Sequence, residues 1–288
     1  MVDLRVRTSD EERRAGRAAT ERFRAGQREW RQRINRPALA VTGAMVLASV
    51  VPALVLGQMW GYALGVYGGA FIGLYFWLRD DPPEYVARWE WGADAERATA
   101  RALRGLVRAG WFAVHDVPCR LGNMDHVVIG PAGVFVLETK WLGGDATVEN
   151  DEIRVQRRLD PDSNYVTGGV GRRTRSRAVD LGSALAQQSG RRPWVTAVVV
   201  IDSRFADGVV DGDRITFVRR DLLADWLAAR PQRLAPGEVD QLAAAMRTLV
   251  DRADAGDAKR RASKPSVVGE TAPFILGVPA TPAGPTSR

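Results

Sequence analysis

The sequence predicts an α/β domain preceded by a two-helix transmembrane hairpin. After residue 79 the periodicities run helix, three or more strands, helix, strand, an order that gives one sheet with helices on its faces. The stretch PWVTAVVVID, residues 193–202, is a continuous β-branched run of the kind found in a strand buried on both sides. Residues 37–78 carry no charged side chain at all.

Residues 1–36 hold 11 arginines against six acids and form a basic arm. As helix, the charge-free run that follows would be roughly 60 Å long, too long for one crossing of a hydrocarbon core about 30 Å thick and right for two. A break near Gly57–Gly61 divides it into spans at about 38–56 and 60–78. Trp60, Tyr75 and Trp77 fall near span ends, where aromatic side chains favour the interface. A cleaved signal peptide does not fit, because the basic region is too long and the apolar run exceeds what such a leader uses. Arginines before the first span hold the N-terminus in the cytoplasm and two crossings return the chain there, so both termini of a multi-pass cell-membrane protein are expected on that side. The arm is also placed to lie against anionic lipid. Glycines at 57, 61, 65, 69 and 73 recur every fourth residue, a small-residue stripe that packs helices and offers a route to a homo-oligomer. The spans hold no ionisable residue of the sort that marks a transport pathway.

Within residues 79–254, apolar residues at 95, 98, 102, 103, 106 and 107 repeat at the helical period and stop at Gly110. Strand-like stretches follow at 111–118, 124–130 and 133–141, with weaker ones at 146–149 and 153–157. DPDSNYVTGGVG, 160–171, reads as a turn-rich loop and 173–189 as a helix. After the strand at 193–202 come a short strand at 214–218 and helices near 220–229 and 236–252. From 255 to 288 the composition of Pro, Ala, Gly, Ser and charge is that of a disordered tail.

The formal charge of +7 sits at the ends: +5 in 1–36 and +3 in 255–288, whereas 79–254 sets 25 basic residues against 26 acidic. Inside the domain, 154–192 holds nine arginines against three aspartates, either a solvated face or a surface for a polyanion. Cys119 is the single cysteine, and with only His115 and His126 beside it there is neither a disulfide framework nor a zinc cluster.

NMDHVVIGPAGVFVLETK, 123–140, reads as two strands joined by Gly130–Gly133. Proline cannot take the positive φ of a type I′ turn, so a four-residue loop around a type I turn is expected, with Ile129 paired to Val134. Counting outward, Asp125 falls opposite Glu138, with Cβ atoms roughly 5 Å apart. A three-residue loop with a bulge at Gly133 would instead pair Asp125 with Thr139. In the first register Lys140 shares the face of Glu138, and two opposed carboxylates call for positive charge between them, for which Mg²⁺ is suited. Glu96, on the border of the first helix's apolar face, lies within reach of such an ion. Only Lys140, Lys259 and Lys264 are lysines among 41 basic residues, so the domain keeps one compact ammonium where it otherwise uses the broad guanidinium.

At these residues the sequence resembles the nuclease-related domain family, a branch of the PD-(D/E)xK nucleases. ERATARALRGL, NMDHVVIGPAGVFVLETK and PWVTAVVVI carry the resemblance, over roughly residues 90–202. It implies a restriction-endonuclease-like α/β core of helix, three-stranded antiparallel meander, helix and strand. It also implies Asp125, Glu138 and the Thr139 backbone carbonyl as ligands of Mg²⁺, with Mn²⁺ as a substitute. Lys140 would stand near the attacking water and Glu96 would be the first-helix carboxylate, in hydrolysis of DNA phosphodiesters. Arg172, Arg173, Arg175 and Arg177 are placed at a helix start to meet phosphates. A catalytically silent, membrane-anchored nucleic-acid-binding or scaffold module on the same fold is the alternative.

Overall fold

The computed structural model describes residues 14–33, 40, 65, 67–74, 84–120, 122–157 and 160–263. The expected spans at 38–56 and 60–78 lie outside the described residues apart from Ala40, Gly65 and 67–74, which are helical. Among the described residues, no helix is long and apolar enough to cross a membrane.

A helix over 17–33, α1, precedes these segments. The periodic stretch ahead of Gly110 forms α2, Glu84–Ala102, and after a break at Leu103 a short α3, Arg104–Arg108. Next comes the expected antiparallel meander of β1, Phe112–Cys119, β2, Gly122–Gly130, and β3, Gly133–Glu149. β4, Glu152–Gln156, and the two-residue β5, Tyr165–Val166, extend from β3. α4, Val170–Ser189, then carries the chain back so that β6, Val195–Phe205, lies parallel to β3. β7, Val209–Gly212, and β8, Ile215–Arg219, complete a sheet of order β1-β2-β3-β6-β8-β7, followed by α5, Leu223–Ala228, and α6, Pro236–Ser263.

The helices cover both faces. α4 and α6 bring Leu181, Leu185, Leu242 and Met246 against Val127, Ile129, Val134 and Val136. On the other face Leu103, Leu106, Leu223 and Leu227 meet Val128, Leu137, Val198 and Val200. β6 is central, and Ala197–Ile201 are all buried, as the uninterrupted β-branched run requires. Each of the valines and Ile201 contributes about 1.5–3 kcal/mol by leaving water.

Several boundaries differ from expectation. β3 runs for 17 residues and absorbs the weak strand at 146–149, its register against β6 shifting between Trp141 and Asp145. β5 and β7 are too short for a two-residue period to register in sequence. α6 continues past residue 255 to Ser263, because alanines, Lys259 and arginines favour helix within an otherwise polar stretch. Residues 264–288 lie outside the described residues.

The hairpin between β2 and β3 closes one pair further than expected, with Gly130 opposite Gly133 and Ile129 opposite Val134. Pro131 and Ala132 keep negative φ, so the turn is not a primed one; Gly133, at φ 132°, takes the backbone conformation that a side chain would resist.

Candidate active site

The register of the hairpin decides the site. Pairing of β2 with β3 runs out at His126 and Leu137, so Asp125 stands level with Glu138 one step beyond the last pair, the alignment expected for the four-residue loop. Asp125 Oδ2 there accepts the Thr139 N–H at 2.8 Å, a side chain taking over where the backbone ladder stops. Across β1 and β2, His115 pairs with His126 and Val117 with Met124, which places Asp116 level with Asp125. Asp116 has φ 54°, a left-handed conformation that aspartate tolerates better than most residues, and it breaks the alternation of β1. Its carboxylate accepts the Asn123 side-chain amide at 2.6 Å.

α2 lowers Glu96 into this region. Burial, and then Asp116 beside it, push the Glu96 carboxyl up to about 7, against the pull of Lys140. Asp125 is also pushed up to about 7, first by burial and then by the neighbouring Glu96, with Lys140 and Arg177 opposing. Glu96, Asp125 and Lys140 are thus brought together.

Glu138 is 7% exposed and fully engaged by cations. Lys140 Nζ donates to Oε1 at 2.7 Å, and Arg177, reaching in from α4, donates to Oε2. Among the described residues, no three His, Cys, Asp or Glu side chains stand together so as to hold a metal ion. The donor chemistry still fits a divalent cation at Glu96 and Asp125: both keep some exposure, and each is an oxygen donor made too basic by burial and like charge. Thr139, on β3 between Glu138 and Lys140, is buried.

Behind these carboxylates lies a buried polar chain that sequence reading did not find. His115 Nδ1 and His126 Nδ1 are 2.7 Å apart, His126 Nε2 is 3.2 Å from Thr139 Oγ1, and Thr139 Oγ1 donates to Thr99 Oγ1 at 3.1 Å. Burial, and then His115, hold His126 well below the ordinary histidine value, so it is neutral and shares its ring nitrogens with these partners. The spacing of Thr99 three residues after Glu96, on one helical face, was the available signal.

The four arginines expected to meet phosphates diverge. Arg177 turns inward to Glu138, Arg175 pairs with Asp151, and Arg173 donates to the Gly168 carbonyl at 2.7 Å. Arg172 instead lines a cavity of about 580 Å³ on α4, together with Arg120, Arg175, Arg192, Arg214 and Trp194.

Residues 91–202 match the family model of the nuclease-related domain, which supports a nuclease-related character for the segment from α2 to β6. No curated protein and no solved structure matches the chain.

Proposed function

We propose that this chain is a membrane-anchored, cytoplasm-facing, metal-dependent nuclease that hydrolyses phosphodiester bonds of DNA on a restriction-endonuclease-like core. The observation that carries the reading is the meeting of Glu96, Asp125 and Lys140 at the opening of the β1–β2–β3 meander, with Glu138 beside them, within the matched segment. Two carboxyls pushed up to about 7 form a place where a divalent ion replaces protons. Mg²⁺, or Mn²⁺ in its stead, would be held by Glu96 and Asp125, with Glu138 and the Thr139 carbonyl as the remaining family ligands; when bound it supplies Lewis acidity and a nucleophilic water. Lys140 is the compact cation at this place: it holds the Glu138 carboxylate, and an ammonium here would offset charge developing on a phosphate oxygen. Arg177 fixes the second Glu138 oxygen and so sets the rotamer from which that group acts.

The nucleic-acid partner has support in the arginine-lined cavity on α4. Trp194, 65% exposed at its side, offers a stacking face beside guanidiniums that neutralise phosphates. The membrane anchor rests on the charge-free run at 37–78 and on the described helical residues 67–74 within it, where Tyr67, Ile72 and Leu74 are exposed apolar or amphipathic side chains that a bilayer would cover. Its glycine stripe is the proposed route to a homo-oligomer.

The test is nicking of plasmid DNA by the full-length chain in detergent with Mg²⁺ or Mn²⁺. Cleavage lost in Asp125→Ala, Glu138→Ala and Lys140→Ala alike is the expected result; RNA of the same sequence in parallel decides between the two nucleic acids. Fractionation with membranes that resists carbonate washing tests the anchor. A second reading, a silent binding module, is favoured by one observation: Glu138 is neutralised by two cations of its own chain. Metal-independent DNA binding without cleavage would select it.

A further inference from the structure

The basic arm is built into the candidate site. Gly16 sits so close to α2 that a Cβ there would stand 2.7 Å from the Ala93 carbonyl oxygen, and its φ of 72° is one that L side chains rarely take. This approach presents the start of α1 to the carboxylates. The Gly16 N–H hydrogen-bonds the Glu96 carboxylate, and the Ala18 N–H donates to Asp116 Oδ2 at 3.1 Å. Both are N–H groups of a helix start, which have no partner inside the helix and carry the positive end of its dipole.

The rest of the arm's anchorage is light. Ala15 and Ala19 are buried, Arg97 donates to Thr20 Oγ1 at 3.1 Å, Arg22 lies over the Trp89 ring at 4.9 Å, and Arg14 pairs with Asp254 at 2.6 Å. Small apolar contacts and partly exposed ion pairs hold a segment reversibly. The Glu96 oxygens that accept from the arm are oxygens that an octahedral ion would need.

We infer that residues 14–20 are an internal occupant of the site, competing with a divalent cation for Glu96, so that ion binding releases the arm and arm docking keeps the site closed. This rests on the metal-site reading above. The positive helix start acts as a stand-in for the ion, holding the carboxylates apart from solvent cations until something favours the released arm.

The experiment uses the full-length chain in detergent, with Mn²⁺ as probe, read by calorimetry and by hydrogen exchange over residues 14–33. Gly16→Leu undocks the arm by the clash with Ala93 without altering a carboxylate. Ala18→Pro removes the donor to Asp116 inside the first helical turn, where a missing N–H breaks no helical bond. Both variants are expected to bind Mn²⁺ about tenfold more tightly, the worth of one charge-assisted hydrogen bond. In the unaltered chain, Mn²⁺ should speed exchange at the amides of residues 16–20. Equal affinities in all three forms with unchanged arm exchange would overturn the inference and leave the metal site standing. Failure of every form to bind Mn²⁺ would overturn the metal reading and this inference with it.

Discussion

Replacing Asp125 by asparagine should stabilise the domain at alkaline pH and do nothing at acid pH. The carboxyl is pushed from 3.8 up to about 7 by burial and by Glu96. A carboxyl whose folded pKa is raised binds its proton more tightly when folded. Its contribution is therefore complete below 3.8 and is lost as pH rises through about 7. A shift of about three units at about 1.4 kcal/mol each gives an upper limit of ~4 kcal/mol, and the water that reaches the partly exposed Asp125 reduces this to roughly 2–3 kcal/mol. Asparagine keeps an oxygen for the Thr139 N–H and carries no charge at any pH. In metal-free buffer at pH 8, Asp125→Asn should melt about 5–10 °C above the unaltered chain, taking 2–4 °C per kcal/mol for a domain of this size. At pH 3, below both values, the two should melt together. A gain of equal size at both pH values, or a loss at pH 8, would refute the claim that Asp125 is a strained carboxylate in the empty site.

The other predictions concern its neighbours. Glu138→Ala leaves the inward-turned Arg177, its side chain 12% exposed, without its counterion, and should cost about 3–5 kcal/mol in urea unfolding. Lys140→Ala, whose side chain is 32% exposed, should cost about 1 kcal/mol or less in the same assay while abolishing DNA cleavage. Thr139→Val interrupts the chain from His126 to Thr99 and should cost about 1–3 kcal/mol in thermal unfolding, through the buried partners it leaves unsatisfied. At pH 6.5, Mn²⁺ binding should release between about one and two protons, measured by calorimetry in buffers of different ionisation heat, because two carboxyls near 7 are then mostly protonated.

Much of the sheet was legible because its signals are local. Gly-Pro-Ala-Gly fixes the hairpin, its register follows by counting, and the β-branched run at β6 announces burial on both faces. The strands that went unseen are the shortest, β5 with two residues and β7 with four, too short for alternation to stand out. At the site, Glu96, Asp125, Glu138 and Lys140 were legible from spacing and resemblance. Asp116 was not, because HDVPC carries no glycine to mark the positive φ that reverses its alternation. Arg177 was hidden in a run of arginines whose solvent-facing members look the same in sequence. The docking of the arm was hidden too, since its arginines speak of charge while its approach to the carboxylates is made by Gly16, Ala18 and two buried alanines.

The breaks in the ladder around Asp116, Asp125 and Glu138 share one cause. A continuous ladder through Asp116, Asp125 and Glu138 would fix a row of three carboxylates roughly 5 Å apart across neighbouring strands, which repulsion disfavours. The β1–β2 pairing skips the Asp116–Asp125 step and the β2–β3 pairing ends just before Asp125 meets Glu138. Each freed group then finds a different partner: Asp116 takes the Asn123 amide and the arm, Asp125 takes the Thr139 N–H, and Glu138 takes Lys140 and Arg177. Glu96 and Asp125 are left facing one another without full neutralisation. That residual imbalance, not the row of acids itself, is what suits this end of the sheet to the proposed cation.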